Sequence, residues 1–435
     1  MPCRGVSARF TFEGSSTEGR TSTPIWHSLG LVASPPDTMS DAAKDPGAEL
    51  PEPALREARR VRTCVGDGLD ELLADLERWV NVDSRADALD LLGGLARDIA
   101  SRLDALGFAT ELVPINERGP YVHATMAGTG HARVALLCHH DTVFDRGTAA
   151  ARPFSRDANR AFGPGVADMK GGLALAAHVG HCLSKSPWTF GHLELVSASD
   201  EESRPHALRT IERLEGFDAV LCFECGRADG SVVSARKGGR WFRVRATGRA
   251  AHAGVAPDEG RNAARAICHE ALRLEALDAA RAGMTLQITG LLGGIGLNTV
   301  PEKAELTADL RAVRAEDLEW AIQQVDAFGN YAGIELTLED LGGPPPFECK
   351  PPVLRLAETA VALGRELGHD FDHVSTGGVS DGSWTAWHGL PTLDGLGPVG
   401  GLDHTDAEYI ELDTIPARAG VVAGIIAAIE LGLLA

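Results

Sequence analysis

Two histidines and a group of carboxylates stand just past apolar runs, where side chains are best placed to do chemistry. The run VALLC (134–138) is followed by His139, His140 and Asp141, LELVSA (193–198) by Ser199, Asp200, Glu201 and Glu202, and AVLCF (219–223) by Glu224. PTLDGLGPVGGLD leads to His404, and GPGVADMKGG (163–172) places Asp168 on a glycine-rich turn that opens a helix. In an open α/β sheet the binding crevice lies beyond the carboxyl ends of the strands, so these positions converge on one edge. Carboxylates gathered there without compensation repel one another and are pushed toward protonation, so the set calls for cations.

Two divalent metals meet that demand. With His139 and Glu224 on one, Glu202 and His404 on the other and Asp168 bridging, each has three protein ligands, and three carboxylates plus an ionised water balance the two cations. Nitrogen and oxygen donors without thiolates fit zinc best, with cobalt or manganese as substitutes. Paired ions lower the pKa of water and polarise a carbonyl, the chemistry of amide hydrolysis. Adjacent residues on an extended segment point opposite ways, so Glu201 faces the water as general base while Glu202 ligates. Asp141, two residues beyond His139, lies on its side and is placed to hold the imidazole tautomer.

The elements that must position these groups alternate short apolar strands with helices. Amphipathic helices are predicted over 68–80 and 88–106, a further helix over 171–182, and, after a gap, one over 353–366 and an apolar terminal helix. Continuous Val/Leu runs between helices predict a mostly parallel sheet covered by helices on both faces. From 239 to 345 the rhythm changes to strand, helix, two strands, helix, strand. That order is the ferredoxin-like βαββαβ unit, here an inserted second domain. The catalytic domain is accordingly split, 53–238 and 346–435, and the Ser-, Pro- and Gly-rich head, 1–52, reads as disordered, with Met39 as an alternative start.

The bulk composition narrows the partners. With 41 Lys and Arg against 61 Asp and Glu the formal net charge is -20, which disfavours nucleic acid and anionic membrane, both of which need clustered cations. An anionic substrate must therefore be captured by a local cation. Glycine is 50 of 435 residues without a fixed period, the pattern of a turn-rich globular chain. The eight cysteines are scattered, mostly inside apolar strings, which reads as free thiols in a reducing cytoplasm. Cys222 and Cys225 form C-x-x-C without the second pair a zinc site needs. The terminal apolar stretch carries Glu430 and three glycines and is read as a buried helix, not a membrane span.

The motifs CHHDTVF (138–144), RPF, AFGPGVADMKGG (161–172), SDEES (199–203), FE (223–224), AAHAG (250–254) and DHTDAEY (403–409) resemble those of the M20 family of metallopeptidases. The resemblance runs from about 68 to 435 and covers the glutamate carboxypeptidase, acetylornithine deacetylase and succinyl-diaminopimelate desuccinylase group. It implies the same ligand set and base, and a cis peptide bond after the bridging aspartate, Asp168-Met169. It implies that the inserted module is a dimerisation lid, that His252 reaches the partner subunit's active site to stabilise the oxyanion, with Asn298 nearby, and that Arg311 captures the substrate carboxylate. The implied activity is cleavage of an amide in a small peptide by a homodimer, glutamate carboxypeptidase-like, with N-acyl amino acid deacylation as the alternative. Where the family commonly has a Gly-Ser step after the base, this chain has Arg204-Pro205, so the loop behind the base differs.

A rival reading exists. Gly378-Val379-Ser380-Asp381-Gly382 matches G-x-S-x-G and His404 follows it, the order of a serine α/β-hydrolase using Ser380. That motif wants a strand before the serine, whereas here glycines precede it, and it leaves the carboxylates and His139 unexplained. No G-K-[ST] phosphate loop is present in the glycine runs.

Overall fold

The computed structural model describes residues 50–434, Pro205 excepted. The six strands of the central sheet are β1 (Ala109–Val113), β2 (Tyr121–Ala127), β3 (Arg133–His139), β4 (His192–Ala198), β5 (Ala219–Cys222) and, late in the chain, Thr392–Leu393. Their order across the sheet is β1-β2-β4-β3-β5 and then Thr392–Leu393. From β4 onward neighbours are parallel, while β1 and β2 add an antiparallel edge. The sheet is thus mixed but mostly parallel, and the runs that read as continuous Val/Leu are buried on both faces, as parallel strands under two helical layers must be.

Register fixes the site. His139 pairs with Ala198, and Leu137 with Cys222, so β3, β4 and β5 end level with one another. The residues that follow them emerge at one edge. Helix Gly171–Leu183, buried almost all round, packs beneath that sheet with helices Glu52–Asp67, Leu69–Val80 and Thr414–Glu430 against it. Its start comes unusually close to the chain leaving β5: a Cβ on Gly172 would stand 2.0 Å from the carbonyl oxygen of Phe223. Only glycine lets the turn carrying Asp168 lie beside Glu224.

Most predicted helices are found where expected, at Leu69–Val80, Leu89–Ala105, Gly171–Leu183 and Pro351–Glu366, and the terminal helix runs Thr414–Glu430. Helix Glu52–Asp67 was not expected. Its buried face is Ala54, Ala58, Val61 and Val65 between charged residues, a stripe too thin in apolar bulk to read alone, and it packs along the terminal helix. The expected disordered head lies, up to position 49, outside the described residues.

The reading of all cysteines as free thiols is corrected at one pair. Cys64 and Cys182 are joined as a disulfide between the first helix and Gly171–Leu183, which removes that support for a reducing compartment. Neither sits in a strand-end motif, and their 118-residue separation gives no local signal. Cys138, Cys222 and Cys225 are buried and free. Among the described residues no helix is long and apolar enough to cross a membrane.

Between Gly238 and Gly342 the strands are β6 (Gly238–Thr247), β7 (Thr285–Gly293), β8 (Lys303–Ala312) and β9 (Glu335–Gly342), with helices Ala263–Glu275 and Ala315–Asp326. The sheet order is β7-β8-β6-β9, all antiparallel, as the βαββαβ pattern requires. Burial alternates along β8, and Phe242, Val244, Ile267, Leu306, Leu310 and Val325 belong to an apolar cluster separate from that of the central sheet. One face of this sheet is covered by its helices.

Candidate metal centre

His139 ends β3 with its ring fully buried. Its Nδ1 lies 3.1 Å from the Asp141 carbonyl oxygen, which can only accept, so Nδ1 carries a hydrogen and Nε2 is the atom turned to the site. That Nε2 is 3.0 Å from Asp168 Oδ1 and 3.7 Å from Glu224 Oε1. The other oxygen of Asp168, Oδ2, is 3.1 Å from His404 Nε2, which is 3.4 Å from Glu202 Oε2. Two groups, His139, Asp168, Glu224 and Asp168, Glu202, His404, each have ligand atoms within 4.8 Å of one another, and Asp168 belongs to both. Tetrahedral ligands about 2.1 Å from one cation stand about 3.4 Å apart, the spacing found here. His404 adopts a left-handed backbone, φ 63°, the kind of conformation retained where a side chain must be aimed.

The electrostatics fit a cationic occupant. Burial, then the neighbouring Asp168, push the Glu224 carboxyl well above the usual carboxylate range. The same causes, only partly offset by His404, put Glu202 at about 6. His404 is raised to about 11 by its bonds to Asp168 and Glu202. Glu202 Oε1 is buried without a hydrogen-bond partner. Acids held against their ionisation, imidazoles held charged by them and an orphaned oxygen are relieved together by cations placed between them.

Glu201 and Glu202 lie in a single turn, Glu201–Ser203. Asp141 supports it differently from the sequence expectation. Its carboxylate accepts the backbone N–H groups of Glu201 and Glu202, 3.1 Å each, while Oδ1 is 3.4 Å from His139 Nδ1. It therefore orients both the imidazole and the turn. Burial raises the Glu201 carboxyl well above its usual range, with His139 opposing and Asp381 and Glu224 reinforcing. Its position beside both donor groups suits a general base.

Glu408, within DHTDAEY (403–409), is a functional residue with no signal of its own in the sequence. Its fully buried carboxylate accepts the N–H groups of Gly165 (3.0 Å), Ala167 (2.8 Å) and Asp168 (3.0 Å), shaping the turn that presents Asp168. The Asp168-Met169 peptide is cis, as the resemblance implies. Beside Glu202 a cavity of about 340 Å³ opens, lined by Arg85, Asp87, Arg118, Thr142, Val143 and Ser203.

Comparison with known proteins decides the family. The profile of Peptidase family M20/M25/M40 matches residues 135–428, well over half of the 435 residues. The chain belongs to that family. Carboxypeptidase G2 of Pseudomonas sp. (strain RS-16) is 28% identical over 370 residues, 82% of this chain and 88% of that protein. Succinyl-diaminopimelate desuccinylase of Cupriavidus taiwanensis is 26% identical over 359 residues, 75% and 92% of the two chains. The crystal structure of aminopeptidase PepT from Bacillus cereus shares the fold, with TM-score 0.68 at 22% identity over 83% of this chain and 98% of that one. The protein is thus an M20 hydrolase, an enzyme of the peptidase and amidohydrolase kind, from a family that uses metal ions.

In this M20 hydrolase the remaining expected residues lie between Gly238 and Gly342, with Arg311 on the four-stranded sheet and His252 on a separate two-stranded pair. Ala251–His252 pairs with Thr299–Val300, and Ala253 N–H donates to the Asn298 carbonyl at 2.8 Å, so His252 and Asn298 are brought together. His252 Nδ1 accepts from the N–H groups of Gly254 and Val255, at 3.2 and 3.1 Å, which leaves the hydrogen on Nε2, facing outward. On β8, Arg311 donates through Nε and Nη2 to both oxygens of Asp309 (2.9 Å each) and through Nη1 to the Gly377 carbonyl (2.9 Å). Neither His252 nor Arg311 hydrogen-bonds to the five metal-site residues among the described contacts. Ser380, the rival nucleophile, is buried, caps helix Asp381–Trp387 by accepting from Gly382 N–H and donates to Asp394 at 2.6 Å. His404 is committed to Asp168 and Glu202, so no serine–histidine pair forms.

Proposed function

We propose that the protein is a dinuclear metal hydrolase that cleaves the amide bond of a small substrate bearing a free C-terminal carboxylate, in the manner of a glutamate carboxypeptidase. The observation that carries this reading is Asp168, shared between two three-residue donor groups with Glu201 alongside. His139, Asp168 and Glu224 would hold one ion and Asp168, Glu202 and His404 the other; their nitrogen and oxygen donors favour zinc over softer metals, with cobalt or manganese as substitutes. Bound there, the ions would supply Lewis acidity toward the scissile carbonyl and acidify water.

The chain's own residues do the rest. Glu201 takes a proton from the attacking water and returns it to the leaving amine. Asp141 keeps Glu201, Glu202 and His139 in register through its three contacts. Arg311 binds the substrate carboxylate, its pairing with Asp309 setting the fork in place beside Gly377. His252 donates its Nε2 hydrogen to the developing oxyanion of the partner subunit. Such a homodimer is supported by β7, an edge strand of its sheet, which runs into exposed Leu291, Leu292, Ile295 and Leu297. An apolar, unpaired edge is a natural surface for a second copy. In this reading 239–345 is a dimerisation lid inserted in a split catalytic domain.

Deacylation of N-acyl amino acids is the second reading. It is favoured by the similarity to a desuccinylase and by the cavity of about 340 Å³ beside Glu202, which suits a small acyl group. Hydrolysis by the zinc-loaded protein of a panel of dipeptides with C-terminal Glu and of N-acyl amino acids separates the two. A higher kcat/KM on the dipeptides supports the first and on the acyl amino acids the second; no hydrolysis of either overturns both.

A further inference from the structure

Arg204, where the sequence departs from the commoner Gly-Ser step, is among the most deeply placed charges of the molecule. Its side chain is 1% exposed, and its two acidic partners, Asp200 and Asp381, are 1% and 6% exposed. Nε donates to Asp200 Oδ1 at 2.9 Å, Nη2 to Asp381 Oδ1 at 2.5 Å and Nη1 to the His206 carbonyl at 2.8 Å. Tyr121 O–H also donates to Asp200 Oδ1, at 2.5 Å. Asp200 immediately precedes the Glu201–Ser203 turn and Arg204 immediately follows it, so the guanidinium closes a short ring of chain that contains both Glu201 and Glu202.

Asp381 lies 177 residues away in sequence, in a segment held by other arginines. Arg311 Nη1 donates to the Gly377 carbonyl and Arg236 Nη1 to the Gly378 carbonyl, at 2.9 and 3.1 Å. Asp394 accepts from both Arg236 (2.7 Å) and Ser380 (2.6 Å). Residues 377–381 therefore connect the guanidinium proposed to bind substrate to the turn proposed to carry the base. Such a buried pair adds little net stability, because both partners lose their hydration. Its value is geometric, since the rigid planar fork holds two carboxylates at fixed angles, whereas a lysine ammonium is a rotatable point charge that leaves them free to shift.

We propose that Arg204 is a positioning residue for Glu201, locking the turn that carries the base to the 377–381 segment that contacts Arg311. The proposal rests on Glu201 being the base of the amide hydrolase described above. Arg204 touches no reacting atom; it acts by denying the turn a second orientation. Misplacing a catalytic group by about 1 Å costs on the order of 100-fold in rate, so loss of the lock should appear in kcat.

The test compares wild type with Arg204→Lys in the full, zinc-loaded chain, by steady-state kinetics, metal analysis and amide hydrogen exchange. Arg204→Lys is expected to lower kcat by about 10- to 100-fold with KM little changed, to keep the wild-type metal content, and to speed exchange in both 199–203 and 377–382 while other segments hold. In Arg204→Ala, methylguanidinium should restore part of kcat. If that variant does not fold, Asp381→Ala cuts the same bond from its other end and should show the same exchange and kcat changes. Unchanged kcat with unchanged exchange in Arg204→Lys overturns the proposal, as does a kcat loss that merely follows loss of metal. A wild type that hydrolyses no amide refutes the functional reading instead, and the exchange of the two segments then still decides whether the lock exists.

Discussion

Replacing Glu408 by Gln would change one atom of a residue that touches no substrate, yet the geometry around Asp168 says that metal binding should suffer. The carboxylate accepts three backbone N–H groups, from Ala167 and Asp168 on Oε1 and from Gly165 on Oε2. A glutamine can keep its oxygen toward Ala167 and Asp168, but its NH2 group then meets the Gly165 N–H, donor against donor. One charge-assisted bond is lost outright and two become neutral ones, about 3.5 to 6 kcal/mol in all at roughly 1.5 to 3 kcal/mol per charged and 0.5 to 1.5 per neutral bond. Only the share that displaces Asp168 reaches the metals. If that share is about 1.5 to 3 kcal/mol, affinity falls about 10- to 100-fold, at 1.4 kcal/mol per tenfold. Burial raises the Glu408 carboxyl to about 7 despite those three N–H donors, so the comparison belongs near pH 8, where it is ionised. Zinc competition against a chromophoric chelator measures the effect. A folded Glu408→Gln protein that binds zinc as tightly as wild type would refute the claim that this carboxylate shapes the Asp168 turn.

Other expectations follow from the same site. Glu201→Ala should lower kcat by about 10²- to 10⁴-fold, the usual share of a positioned base, while the metal content measured by elemental analysis stays at the wild-type level; retained turnover would remove Glu201 from its role. Arg311→Ala should raise KM chiefly for substrates with a free carboxylate, and equal effects on the matching carboxamides would count against it. Metal affinity should weaken as pH falls: Glu202, held at about 6, and His404, at about 11, must both give up protons to bind a cation. From pH 7.5 to 5.5 zinc titrations should show a loss of more than about tenfold, and a flat profile would mean that these two are not ligands.

Much of this centre was legible in the sequence because strands β3, β4 and β5 are short apolar runs whose ends fall level in a parallel sheet. A residue that follows such a run is on the crevice edge whatever the rest of the chain does, so His139, Glu201, Glu202 and Glu224 could be placed. The middle module was equally open to reading, since β6, β8 and β9 alternate with a period of two while the central strands do not. Other features were hidden for a common physical reason. Glu408 serves N–H groups about 240 residues away in sequence, Arg204 reaches Asp381 across 177, and Cys64 meets Cys182 across 118. Nothing local in their neighbourhoods encodes those partners. Asp141 lay between the two cases: its place beside His139 was readable, its grip on the Glu201 turn was not.

Two cations sharing Asp168 are the centre of the proposed mechanism. Zinc bound per subunit after saturation and exhaustive dialysis at pH 8, measured by elemental analysis on wild type and Asp168→Ala, tests that sharing. The expected result is two in the wild type and at most one in the variant; one or none in the wild type, or two retained in Asp168→Ala, would contradict the bridging role on which the mechanism stands.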